Sequence, residues 1–82
     1  MRLVYFASLR ERIGKSAEEV EVPEPVRTLA ELIAWLGARD DAYAATFSQT
    51  NVRAAVDKKH AGPEASIVGA QEIAFFPPMT GG

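Results

Sequence analysis

The residues best placed to do chemistry are the last two. Gly81-Gly82 closes the run Phe75-Phe76-Pro77-Pro78-Met79-Thr80-Gly81-Gly82 and presents a carboxylate with no side chain beside it. Glycine lacks a Cβ, so its backbone passes narrow channels and adopts conformations closed to other residues. Pro77 and Pro78 stiffen the exit, since an extended proline segment has little freedom left to lose on binding. At roughly 3.1 Å per residue, the arm from Pro77 to Gly82 spans on the order of 18 Å, enough to enter a pocket on another protein. A carboxylate is a poor acyl donor until a nucleotidyltransferase converts it to an acyl-adenylate. Attack by a persulfide and reductive release then leaves a thiocarboxylate at Gly82, whereas attack by a lysine amine leaves an isopeptide bond. These residues permit both outcomes. The bland alternative is a frayed terminus, the usual status of a short glycine tail. Against it stands the abrupt change from a strand-like run to a proline-stiffened arm.

Other candidates are weaker. The chain has no cysteine, which excludes disulfides, thiolate metal sites and cysteine nucleophiles. His60 is the single histidine, sits beside Lys58 and Lys59, and reads as part of a solvated turn. Asp40-Asp41 is better explained by a helix cap than by acid–base catalysis. Glu18, Glu19, Glu21 and Glu24 form an acidic run, of the kind that is usually a solvated strand face and at most a weak recognition feature. No metal site is expected. A net charge of −2 gives no footprint for nucleic acid, which requires a clustered positive surface. The apolar start, Met1 to Ala7, is too short to span a bilayer, so a cytoplasmic location is the default and no membrane partner is expected.

The elements that must position the tail are legible in outline. At 82 residues, 48% hydrophobic and 24% charged, the chain has room for one domain with one modest core. Arg2 to Ala7 reads as a strand apolar on both faces, with Leu3 and Tyr5 on one and Val4 and Phe6 on the other; both faces then need cover, from this domain or from a partner. Ser8 to Gly14 allows one or two helical turns closed by Gly14. Ala17 to Val22 alternates as a second strand, stopped by Pro23-Glu24-Pro25. Thr28 and Glu31 have capping-box spacing, and Leu29, Leu32, Ile33 and Leu36 form the buried stripe of a helix that Gly37 is placed to end in a left-handed cap. Trp35, beside that stripe, widens the contact.

Asp40 or Asp41 caps a second short helix through Tyr43 and Phe47. Val52 to Val56 forms a third strand. Lys58 to Gly69 reads as turns with room for one short edge strand, and Gln71 to Phe76 is the last strand. The pattern predicts an α+β unit: a mixed four- or five-stranded sheet with its first hairpin antiparallel and one main helix across one face, which is the β-grasp (ubiquitin-like) plan. The predicted division is a domain over residues 1–76 and a flexible tail over 77–82.

The first strand with Phe6-Ala7-Ser8-Leu9-Arg10-Glu11, the single amphipathic helix and above all Phe75 to Gly82 resemble the small, sulfur-carrying subunits of molybdopterin synthase. The resemblance covers nearly the whole chain. Ubiquitin-like modifiers and thiamine-pathway sulfur carriers share the Gly-Gly ending, usually without Phe-Phe-Pro-Pro before it, and are the alternative readings. The resemblance implies that Gly82 is adenylated by an E1-like activating enzyme using ATP, with no permanently bound cofactor, and is thiolated with the help of a sulfur-donor protein. The tail, with Gly81 and Thr80 giving access, then enters the large subunit of molybdopterin synthase, which carries the catalytic side chains; the present chain alone is not an enzyme. It further implies an interface at Phe76, Phe6, Pro77 and Pro78, with Arg10 as a polar contact. Two turns depart from the family pattern: Asp57-Lys58-Lys59 stands in place of an Asn-Gly type, and Gly69-Ala70-Gln71-Glu72 in place of an Asp-Gly-Asp type.

Overall fold

A computed structural model describes residues 1–49 and 51–78. Strand β1, Arg2–Tyr5, leads into helix α1, Ala7–Ile13, and then strand β2, Ala17–Glu19; helices α2, Leu29–Arg39, and α3, Asp41–Gln49, precede strands β3, Arg53–Val56, β4, Lys59–Ala61, and β5, Glu72–Phe76. The sheet order is β2-β1-β5-β3-β4. The β1 and β5 strands run parallel at its centre, with Leu3 opposite Ile73 and Tyr5 opposite Phe75, while the other pairings are antiparallel. This is the predicted β-grasp arrangement with five strands.

Alternation decides which residues build the core, because successive strand side chains point to opposite faces. Leu3, Tyr5, Ile73 and Phe75 are all buried on one face, where they meet Leu9 and Ile13 of α1, Leu29, Leu32 and Leu36 of α2, and Tyr43 of α3. Burying one such side chain is worth about 1.5–3 kcal/mol. The aromatic rings extend the packing as a ladder: Tyr43 to Tyr5 at 6.2 Å, Tyr5 stacked on Phe75 at 5.8 Å, and Phe47 edge-on to Phe75 at 5.1 Å.

The helix ends follow their local chemistry. Gly14 closes α1 in the left-handed region at φ 89°, its N–H donating to the Arg10 carbonyl. The capping box at α2 is complete: the Glu31 N–H donates to Thr28 Oγ1 at 3.2 Å, and the Thr28 N–H donates to Glu31 Oε1 at 3.0 Å. The Arg27 N–H, at 2.9 Å, and the Thr28 N–H both donate to the Glu31 carboxylate and hold it below its ordinary range. Asp40 Oδ1 accepts from the Ala42 N–H at 2.8 Å and so starts α3.

Two expectations are corrected. Gly37 does not end α2, which runs on to Arg39. A Cβ at Gly37 would sit 3.4 Å from Ala44 Cα, so this glycine brings α2 and α3 into close approach. Trp35 packs at the margin of the core as expected, with the Arg39 guanidinium 4.5 Å from its ring centroid. His60 does not lie in a turn. The turn is the two-residue Asp57-Lys58, both in the left-handed region at φ 48° and 71°, and His60 lies in β4 opposite Ala55.

Candidate functional site

All three helices pack against the face that carries Leu3, Tyr5, Ile73 and Phe75, which leaves the other face of the sheet open. Register places Val4, Ala74, Phe76, Arg53, Ala55 and His60 there, since residues directly opposite one another in a ladder share a face. The tail leaves from the end of this surface.

Phe75 and Phe76 show the division within one strand: Phe75 is fully buried, whereas Phe76 turns to the open face and is only half-buried. Phe6 joins it from the end of β1. Its N–H donates to the Phe75 carbonyl at 3.0 Å, so the β1–β5 pairing carries one residue past Tyr5 and sets Phe6 beside the exit. Immediately afterwards Ala7 adopts φ 53°, a left-handed conformation that costs roughly 1–2 kcal/mol for a residue with a Cβ. The chain thereby reverses into α1 while Phe6 stays 48% exposed, one of two large apolar residues exposed among those described. An exposed aromatic of this size beside a second one suits a protein interface.

Of the residues predicted for the site, Phe6, Phe76, Pro77 and Pro78 fall at this end of the sheet, both prolines half-buried. Arg10 is exposed on α1, and its backbone rather than its side chain has a defined role, at the Gly14 cap. Thr80, Gly81 and Gly82 lie outside the described residues. His60 was not expected here, yet its ring meets Phe76 edge-on at 5.5 Å and 83°. Arg53 lies directly opposite Phe76. The signal for Arg53 was the alternation of β3, which puts Arg53 and Ala55 on the face opposite Ala54; for His60 it was only the room left for a short edge strand after Lys58.

A second cluster, on the covered face, holds the domain behind the tail. Glu18 is not a solvated member of an acidic run: its Oε2 accepts from the Tyr5 hydroxyl at 2.7 Å and the Tyr43 hydroxyl at 2.6 Å, and Lys15 Nζ lies 3.4 Å from its Oε1. Burial alone would push the Glu18 carboxyl up, but the hydrogen bonds from Tyr43 and Tyr5 and the Lys15 charge outweigh it and hold the group below its ordinary 4.5. Burial and the same carboxylate push both tyrosines up. With these hydroxyls donating and the carboxylate accepting, β1, β2 and α3 are tied together without a proton that is free for catalysis at neutral pH.

Asp57 does comparable work at the opposite end of β5 from the tail. Its Oδ1 accepts from the Gln71 and Glu72 N–H groups at 3.0 and 2.9 Å, and its own N–H donates to the Glu72 carbonyl at 2.8 Å. The departure from an Asn-Gly turn therefore keeps left-handed geometry and adds a carboxylate that locks the start of the last strand. No helix of the described residues is long and apolar enough to cross a membrane.

Comparisons with known proteins bear on both the sequence and the fold. The ThiS family model matches residues 3–82. The molybdopterin synthase sulfur carrier subunit of Escherichia coli (strain K12) is 32% identical over 82 residues, covering 100% of this chain and 99% of the relative. The protein of the same name from Haemophilus influenzae is 29% identical over 82 residues, covering 100% and 99%. Among solved structures, SAMP1 from Haloferax volcanii superposes with a TM-score of 0.75 at 23% identity, over 100% of this chain and 98% of that one; this last likeness concerns the fold.

Proposed function

The chain belongs to the ThiS family, and from that premise we propose that it is the sulfur-carrier subunit of a molybdopterin synthase, with residues 1–76 as the carrier domain and 77–82 as the arm that delivers sulfur. An activating enzyme supplies the first step: a Gly82 carboxylate oxygen attacks the α-phosphorus of ATP and pyrophosphate leaves. The persulfide of a sulfur-donor protein then displaces AMP from the acyl carbon, and a thiol reductant cleaves the resulting S–S bond, leaving a thiocarboxylate on Gly82. In the large subunit this sulfur passes to the pterin precursor to build the dithiolene of molybdopterin, and water restores the carboxylate. The chain itself holds no resident cofactor on this reading and works in the cytoplasm.

The observation that carries the proposal is the run Phe75 to Gly82 set on a domain whose open face ends in Phe6 and Phe76. Phe76 and the prolines aim the arm, Thr80 and the glycines let it pass, and the catalytic side chains belong to the large subunit. The test is an intact mass of the full chain after incubation with the activating enzyme of the same organism, ATP, a persulfide donor and reductant. Exchange of one oxygen for sulfur, confined to the tail peptide, is the expected result. An unchanged mass under conditions in which the enzyme releases pyrophosphate overturns it. Remnants of the tail on lysines of other proteins, without any thiocarboxylate, point instead to conjugation.

A further inference from the structure

The charges of this acidic chain are segregated between the two edges of its sheet. Glu18, Glu19 and Glu21 sit at or just beyond β2, whereas Arg53, Lys59 and His60 lie on β3 and β4 with Lys58 in the turn between them; Asp57, in the same turn, is engaged by the Gln71 and Glu72 N–H groups. The ion pairs seen among the described residues engage Glu18, Glu19 and Glu72, with Lys15, the N-terminus and Arg2 as their partners. None reaches Arg53 or His60. Both are exposed, and both flank Phe76, Arg53 as its direct neighbour across the β3–β5 ladder and His60 through the ring contact. Between Arg53, His60, Ala61 and Gly62 lies a shallow hollow of about 260 Å³, and a Cβ at Gly62 would meet nothing within 4 Å.

We propose that Arg53 and His60 form a receptor for a carboxylate side chain of the large subunit, docking beside Phe76 and fixing the direction in which the tail enters its partner. This rests on the carrier reading above. The planar guanidinium offers paired N–H donors to a carboxylate, and the imidazole offers a ring N–H in either protonation state. The apolar contact at Phe6 and Phe76 supplies desolvation without direction, whereas a charge-assisted pair beside it sets register and suppresses wrong partners. The large subunit is the occupant because the relatives of this chain are subunits of a synthase, and Arg53 and His60 adjoin the apolar patch at Phe76 from which the arm leaves.

The experiment titrates the full-length chain into the purified large subunit of the same organism at low and at physiological salt. The wild-type affinity falls as salt rises. The double variant Arg53→Gln with His60→Gln binds about tenfold or more weakly at low salt and loses most of that salt dependence. Phe76→Ala weakens binding at both salt concentrations and keeps the salt dependence. Arg53→Lys alone, which preserves the charge but not the paired donors, keeps the salt dependence at an affinity between those of wild type and the double variant, and thermal melts of each variant confirm that the domain remains folded. If the double variant binds within about twofold of wild type with the same salt dependence, the receptor is overturned, while a normal thiocarboxylate mass leaves the carrier reading intact. If wild type does not bind the large subunit at all, both the receptor and the carrier reading fall.

Discussion

The two faces of the sheet are made from the same five strands and differ in almost everything else. On the covered face the buried polar side chains among the described residues are partnered. Glu18 is matched by Tyr5, Tyr43 and Lys15, and no buried side-chain nitrogen or oxygen among the described residues lacks a hydrogen bond. On the open face Phe6, Arg53 and His60 remain exposed to solvent. A satisfied surface can only hold the domain together, and an unsatisfied one remains available for recognition. Stability and, on the proposed reading, partner choice are therefore assigned to alternate residues of the same strands.

Phe75 and Phe76 give the sharpest way to break that comparison. Phe75→Ala removes a fully buried ring that touches Tyr5 and Phe47 and is expected to cost about 3–5 kcal/mol. Phe76→Ala removes only a half-buried ring against His60 and is expected to cost about 1 kcal/mol or less. Denaturant titrations of the two variants decide it, and equal losses would mean that the open face is also structural.

Glu18 provides the next largest effect. Glu18→Gln keeps the size but removes the charge that two tyrosine hydroxyls and Lys15 share, with an expected loss of about 2 kcal/mol. The pH dependence has a defined sign. A carboxyl held lower in the folded state than in the unfolded chain contributes stability that is fully present above 4.5, its ordinary value, and is lost as pH falls through the lower folded value. Denaturant titrations at successively lower pH should therefore show wild type losing stability more steeply below 4.5 than Glu18→Gln, which lacks this component, so that the difference between the two narrows.

The smallest expected effect sharpens the comparison from the other side. Lys58 holds φ 71° at the second position of a two-residue hairpin, where glycine carries no steric cost. Lys58→Gly is expected to stabilise the domain by about 0.5–1 kcal/mol, read as a raised melting temperature, with tail chemistry unchanged.

Much of this was open to reading from residues close together in sequence. The Thr28–Glu31 box, the leucine stripe of α2 and the alternation from Ile73 to Phe76 are local patterns, and the tail is a contiguous motif. The open face was also foreshadowed, because a first strand with apolar residues on both faces needs cover on both, from its own domain or from a partner, and the helices supply it on only one. The misreadings all required tertiary knowledge. Glu18 looks solvated in an acidic run because its partners stand 13 and 25 residues away. Gly37 looks like a cap until Ala44 is seen against it. His60 looks like a turn residue because left-handed backbone at Asp57 and Lys58, without a glycine, gives no warning that the hairpin is already closed.

The parallel pairing of β1 with β5 has a practical corollary. The Met1 ammonium donates to the Val20 carbonyl at 3.1 Å and begins the strand that runs beside β5 in the same direction, so the start of β1 and the end of β5 lie at opposite rims of the sheet, separated by about 16 Å of strand at 3.3 Å per residue. A fusion or affinity handle at the amino end therefore sits at the rim away from Phe76, whereas a linker joining that rim to Phe76 would have to cross the sheet.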